Sequence, residues 1–154
     1  MEVRECDVLV MGVGNLLMGD EGVGVHAVRA LDASLLPPNV RLLDGGTGGF
    51  HLLPYLQDYP VVIIIDATMD QRLPGTVRVL EPKFASDFPK VLSAHDIGLK
   101  DLVESAALLG KLPKIYLITI SVADIQNMEI NLSESVKAAL PMVQREVTKI
   151  LAGL

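Results

Sequence analysis

The chain is short of cysteine and of basic clusters, and each shortage excludes a class of function. Its one cysteine, Cys6, cannot form an internal disulfide, so we expect a reducing compartment, the cytoplasm. Cys6 precedes the first predicted strand, at the wrong end of a sheet for a site, which indicates a structural thiol. Thirteen basic and nineteen acidic residues give a net charge of −6. Without a basic cluster to follow a phosphate backbone, nucleic acid binding is not expected.

Long hydrophobic runs are also missing, although half of the residues are hydrophobic. The longest pure run, "VVIII" at 61–65, is far shorter than the roughly 20 residues of a membrane span. No basic segment precedes a long apolar stretch near residue 1, so neither a membrane segment nor a signal peptide is expected. The 154 residues contain no repeat or linker, which predicts a single domain over 1–154 and favours a monomer.

The apolar runs that are present predict the fold. They are continuous rather than alternating, which is typical of parallel strands buried on both faces, here 7–14, 40–46, 61–68 and 114–122. Residues 75–82 alternate better and predict an edge strand, with antiparallel pairing as one option. Helical spacing predicts helices over 21–34, 49–57, 98–109 and 133–152, the last kinked or divided by Pro141. The expected fold class is α/β, a three-layer sandwich with a twisted, mostly parallel sheet and helices on both faces. Such sheets bind ligands at the carboxyl ends of their strands.

The stretch "MGVGNLLMGDEGVGVHAV" at 11–28 looks like a strand, a glycine turn and a helix that cradle a phosphate. Leu17 stands where a dinucleotide fingerprint needs its third glycine, and the Gly-Lys-Ser/Thr of a phosphate loop is absent. Asp20 and Glu21 would also repel an anion at the start of the helix. Asp20 can cap that helix, but two acids exceed what capping needs. Glu21 is therefore predicted to face the cleft and hold a cation.

Two further acids end predicted strands at the same edge. Asp66 follows five apolar residues, where a carboxylate is costly without a partner, so a functional role is expected. Asp44 precedes a glycine-rich stretch and can stabilise the backbone of that turn. It also stands where a nucleotide binder places its ribose acid, which keeps a nucleotide-binding oxidoreductase as an alternative.

His95 lies in "VLSAHDIGLKDL", a loop that can reach this edge, although a helix cap or a surface position is the other reading. If Glu21, Asp66 and His95 converge, two carboxylates and one imidazole suit a divalent metal such as zinc or nickel. The set lacks the thiolates of a closed structural zinc site. His26 and His51 fall on predicted helices and are expected to be structural.

Four segments carry a resemblance: "GVGNLLMGDEGVGVHAV", "LLDGGTGGFHLL", "IIIDAT" and "SAHDIGLKDL". In order and spacing, roughly over residues 7–154, they resemble the motifs of the nickel–iron hydrogenase maturation endopeptidases. The resemblance implies a hydrolase, classed as an aspartic-type endopeptidase, that removes the C-terminal propeptide of the hydrogenase large-subunit precursor after nickel insertion. By motif, it implies that Glu21, Asp66 and His95 bind the metal and carry catalysis.

The same resemblance implies a substrate-binding role for the glycine-rich loop, which consists of Asp44, Gly45, Gly46, Thr47 and Gly48. Asn15 and Asp20 match the first motif without an assigned role. The chain departs from the family after the fifth predicted strand, where "ISVADIQNMEINLS" replaces a Pro-Glu-Ser type of turn.

The metal in this reading is nickel carried by the substrate and bound only transiently. It would polarise the scissile carbonyl, activate water, or serve recognition alone. No G-x-S-x-G elbow is present, which disfavours a covalent nucleophile. The remaining alternative is a non-enzymatic chaperone that holds nickel through the same residues.

Overall fold

The computed structural model describes residues 7–88, 99–123 and 128–154, so Cys6 and His95 lie outside the described residues. Its centre is a five-stranded sheet in the order β2-β1-β3-β5-β4. The strands are β1 Val8–Gly12, β2 Val40–Asp44, β3 Val61–Thr68, β4 Val77–Leu80 and β5 Lys114–Ser121. All pairings are parallel except that of β4 with β5, which is antiparallel. The mostly parallel sheet and the antiparallel edge strand are as predicted.

Helices cover both faces of this sheet. They are α1 Val23–Ala30, α2 Leu53–Asp58, α3 Leu99–Leu108, α4 Glu134–Lys137 and α5 Leu140–Ala152. Val28 of α1 and Val147 of α5 pack in one core layer with Ile63 and Ile65. Leu56 of α2 and Leu102 of α3 belong to the core on the other face. The three-layer α/β prediction is confirmed. Among the helices of the described residues, none is both long and apolar enough to span a bilayer.

Three predicted helices differ from the observed ones. The helix predicted over 49–57 becomes α-helical only at Leu53, after a 3-10 helix, Phe50–Leu52. The helix predicted over 133–152 is divided into α4 and α5, and Pro141 lies in the first turn of α5. Proline is tolerated there because its missing N–H has no helical partner in the first turn. The first predicted helix begins at Val23 rather than residue 21, and a 3-10 helix, Gly19–Gly22, precedes it. Asp20 and Glu21 therefore belong to this tight turn and not to α1.

The glycines of the first motif bring α1 directly against the sheet. A Cβ on Gly24 would overlap the carbonyl oxygens of Val13 and Ile65, and one on Gly12 would overlap the carbonyl oxygen of Gly24. These glycines therefore allow α1 to pack closely on the sheet. The 3-10 helix before α1, which carries Asp20 and Glu21, consequently lies against β3.

We expect Gly24→Ala to lower the free energy of unfolding by about 3 kcal/mol, the upper end of the cost of overpacking. The overlapping atoms belong to two backbone carbonyls, which cannot rotate away as a side chain would. Gly153→Ala is the matched control, because a Cβ there meets its nearest atom at 3.6 Å. Urea unfolding of both variants measures the effect, and equal stabilities would contradict the packing argument.

Candidate functional site

The sheet face under α2 and α3 changes from apolar to polar at the carboxyl ends of β3 and β5. On β3, Val62 and Ile64 are followed on the same face by Asp66 and Thr68, because side chains alternate along a strand. On β5, Ile115 and Leu117 are followed in the same way by two hydroxyl side chains. We call the four polar side chains the buried polar cluster: Asp66, Thr68, Thr119 and Ser121, each at most 3% exposed. The register pairs Asp66 with Thr119 and Thr68 with Ser121. Because buried polar groups are costly unless paired, this cluster marks the edge as a site.

Glu21 reaches the same edge from the first motif. Its 3-10 helix contacts β3, and the N–H of Val13 donates to the carbonyl oxygen of Ile65 at 3.0 Å, immediately before Asp66. Glu21 is 4% exposed and Asp66 is fully buried. The Asp66 Oδ1 atom accepts from the N–H of Ala67 at 2.8 Å, and both acids make further contacts within the fold. Two predicted ligands thus lie on contacting elements.

Asp20 does not cap the helix that follows it, so that expectation is wrong. Neither the 3-10 helix nor α1 has a side-chain cap. Instead, Asp20 Oδ1 accepts from the N–H of Ser133 at 2.8 Å, and its Oδ2 accepts from the Ser133 hydroxyl at 2.8 Å. The same turn pairs with the segment after β5, since Glu129 N donates to Leu17 O at 2.8 Å. Asp20 therefore ties the first motif to the start of α4.

We expect Asp20→Ala to lower the free energy of unfolding by about 1–3 kcal/mol, because the N–H of Ser133 loses its acceptor. The double variant with Ser133→Ala should be less destabilised than the sum of the single variants, since both changes remove the bond from the Ser133 hydroxyl to Asp20 Oδ2. Urea unfolding of the four proteins gives the coupling energy. Additive single effects would show that the hydroxyl bond of Ser133 contributes nothing to stability.

Asp44 organises the glycine-rich loop through its side chain. Its Oδ2 atom lies 2.7 Å from Nη2 of Arg29, and its Oδ1 accepts from the N–H of Gly46 at 2.9 Å. The loop then joins the first motif, because Gly14 N donates to the carbonyl oxygen of Gly46 at 2.7 Å. The turn-stabilising role predicted for Asp44 matches this geometry. Thr47 is exposed on the loop, where it is accessible to a substrate.

The histidines fall into two groups. His95, the third predicted ligand, lies outside the described residues. The Nε2 atom of His26 is 3.2 Å from the carbonyl oxygen of Ile130, which fits the structural role predicted for it. His51 is exposed in a 3-10 helix, Phe50–Leu52. Within 7–88, 99–123 and 128–154, no three His, Cys, Asp or Glu residues are placed to hold a metal. The metal hypothesis therefore depends on His95 joining Glu21 and Asp66.

Sequence reasoning missed the hydroxyl residues of the buried polar cluster. The signal was present in "LITIS" at 117–121, where Thr119 and Ser121 alternate with apolar residues on a strand buried on both faces. Ser121 Oγ donates to Asp70 Oδ1 at 2.8 Å. The Oδ2 atom of Asp70 is 3.2 Å from Nε of Arg72, an ion pair without hydrogen-bond geometry. The ion pair of Asp70 and Arg72 thus borders the buried polar cluster.

Large apolar side chains are exposed in the loops around this edge. We call them the apolar rim: Leu17, Phe50, Met69, Leu73, Met128 and Ile130, each at least 43% exposed. Leu17 follows β1, and Met128 and Ile130 follow β5. These two segments are paired through Met18 and Glu129, so they share one side of the site. Exposed apolar groups around a buried polar cluster are typical of a surface that binds another protein.

Comparison with known proteins decides the family. The profile described as hydrogenase maturation protease matches residues 25–150, a span that includes Asp66 and His95 but not Glu21. The hydrogenase 2 maturation protease of Escherichia coli K12 is 33% identical over 150 residues, covering 96% of this chain and 90% of that protein. The chain belongs to the hydrogenase maturation protease family. The predictions that the chain belongs to this family and that it is a peptidase are confirmed.

Further similar proteins agree with this assignment. Hydrogenase expression/formation protein HupD of Rhodobacter capsulatus is 42% identical over 109 residues, and the match spans 69% of this chain and 52% of HupD. The solved structure of the maturating endopeptidase HybD from Escherichia coli superposes with a TM-score of 0.83. It is 32% identical, and the superposition covers 95% of this chain and 92% of HybD.

Proposed function

We propose that this chain removes the C-terminal propeptide from a nickel–iron hydrogenase large-subunit precursor after nickel insertion. In this proposal Glu21, Asp66 and His95 recognise the nickel. The observation that carries it is the presence of two buried acids, Glu21 and Asp66, on contacting elements at the carboxyl edge of the sheet. The role of His95 rests on its motif in the sequence.

The chemistry of the donors fits a metal that belongs to the substrate. Carboxylate and imidazole ligands suit nickel, and the set contains no thiolate that would hold the ion permanently. Docking of Glu21 and Asp66 onto nickel already held by the client would place the client's tail beside the buried polar cluster. A carboxylate at this position is suited to accept the proton of an attacking water, and the bound ion can polarise the scissile carbonyl.

The decisive experiment incubates a purified, nickel-loaded large-subunit precursor with this chain and measures its mass. Loss of one defined C-terminal fragment is expected. A precursor that lacks the tail is the control and should keep its mass. An unchanged full-length precursor would contradict the proposal, and nickel binding without cleavage would favour the chaperone alternative. The lone cysteine supports a cytoplasmic location for this reaction, and we expect the enzyme to act as a monomer.

The apolar rim supports docking of a protein client rather than a small molecule. We expect Met128→Asp to raise the KM for the precursor about tenfold, because it places a charge in the contact surface; this corresponds to ~1.4 kcal/mol of binding. The stability should not change, since Met128 is 82% exposed.

Leu108→Asp is the matched control for this docking prediction. Leu108 is 88% exposed but ends α3, at the opposite edge of the sheet. Steady-state kinetics of both variants show at which edge of the sheet the client binds. Equal KM values for Met128→Asp and Leu108→Asp would show that the client does not contact the rim at residue 128.

A further inference from the structure

One hydroxyl of the buried polar cluster stands apart from the rest. Thr119 is 1% exposed, and its Oγ1 atom has no hydrogen-bond partner among the described residues. Ser121, one position further along the same face, donates to Asp70 at 2.8 Å. A hydroxyl at this edge can therefore find a hydrogen-bond partner, as Ser121 does, whereas Thr119 has none among the described residues.

An unpaired buried hydroxyl is unfavourable compared with an apolar group of the same shape. Valine has the branched shape of threonine and would fill the same volume on the strand without the desolvation cost. Leu117, two residues earlier on the same face of β5, is fully buried and shows that this face accepts large apolar side chains. A hydroxyl at residue 119 is thus explained best by a partner that it acquires in another state of the protein.

The register places an acid beside Thr119 on the same face of the sheet. Thr119 of β5 pairs with Asp66 of β3 in the parallel ladder, so both side chains leave the sheet on one side. Neighbouring strands lie about 4.8 Å apart, which puts a carboxylate within reach of a threonine hydroxyl after a change of rotamer. Arg78 of β4 pairs with Thr119 from the other side, but its guanidinium Nη1 lies 3.8 Å from Asp70 Oδ2.

We propose that Thr119 is a positioning residue that donates a hydrogen bond to the Asp66 carboxylate when the nickel-loaded client docks. This rests on the proposed function, in which Asp66 meets the nickel. Metal-binding carboxylates are held in orientation by hydrogen bonds from a second layer of residues. Without the client the hydroxyl has no partner among the described residues, and in the complex it fixes which carboxylate oxygen faces the metal.

The test compares Thr119→Val, Thr119→Ser and Ser121→Ala with the wild type. Thr119→Val should raise the KM for nickel-loaded precursor about 10–100-fold, the range for loss of a second-layer partner. Its Tm should stay equal or rise, because an unpaired hydroxyl is removed. Thr119→Ser keeps the hydroxyl and should restore a near-normal KM. Ser121→Ala should instead lower Tm, because it removes the bond to Asp70.

The outcomes separate this inference from the function on which it rests. A wild type that cleaves, together with a Thr119→Val variant that matches its KM, overturns the role of Thr119 alone. A fall in Tm for Thr119→Val that accounts for its loss of rate also overturns it, because the hydroxyl would then be structural. If the wild type does not cleave, the proposed function fails. Calorimetric titration with Ni²⁺ then decides the inference, which requires weaker binding by Thr119→Val.

Discussion

Glu21→Gln, Asp66→Asn and His95→Ala are each expected to slow the processing of a nickel-loaded precursor at least about 100-fold, since loss of a second-layer partner alone costs 10–100-fold. The amides keep the shape of the acids but lose their charge, and neutral amide oxygens bind a divalent cation more weakly. Mass analysis of the precursor over time measures the rates.

The fold of the acid variants should survive. The side-chain amide introduced by Asp66→Asn retains an oxygen that can accept from the N–H of Ala67, as the carboxylate of Asp66 does at 2.8 Å. Circular dichroism and Tm should therefore stay close to those of the wild type. Asp58→Asn is the control, because Asp58 is exposed at the end of α2, before β3 and away from the site. If all three variants trimmed the precursor at the normal rate, the ligand assignment would be wrong.

The sheet could be predicted because its strands are unambiguous. A continuous apolar run such as 61–65 can bury all of its side chains only between two layers of helices, and β3 is indeed buried along nearly its whole length. Pro141 predicted the break between α4 and α5 for an equally local reason. Asp66 was singled out because a carboxylate directly after such a run is costly to bury without a partner.

Contacts between distant segments could not be predicted in the same way. The partner of Asp20 is Ser133, 113 positions later, and nothing local distinguishes this contact from a helix cap. The pairing of Asp66 with Thr119 depends on strand order and register, which one sequence does not specify. The first motif shows the same limit, because its glycines resemble a phosphate loop while the structure uses them to pack α1 against β1 and β3.

A precursor without nickel is expected to resist cleavage, with a rate at least about 100-fold below that of the loaded form, since bringing reacting groups together is worth several orders of magnitude. The apolar rim would still contact the client. Without nickel, however, Glu21 and Asp66 have no cation to meet, and the scissile bond is not drawn to the buried polar cluster. Recognition of the protein and recognition of the metal are thereby separate requirements.

The measurement follows the mass of apo-precursor, of the same sample after nickel loading, and of a sample loaded with Mg²⁺ as a hard-cation control. Only the nickel-loaded form should lose its tail, and loading should restore cleavage without any change to the enzyme. Met128→Asp sharpens the result, because it should weaken docking of both forms of the precursor, whereas Asp66→Asn should affect only the loaded one. Rapid trimming of apo-precursor would show that cleavage does not require nickel and would contradict the proposed role of the two buried acids in recognising it.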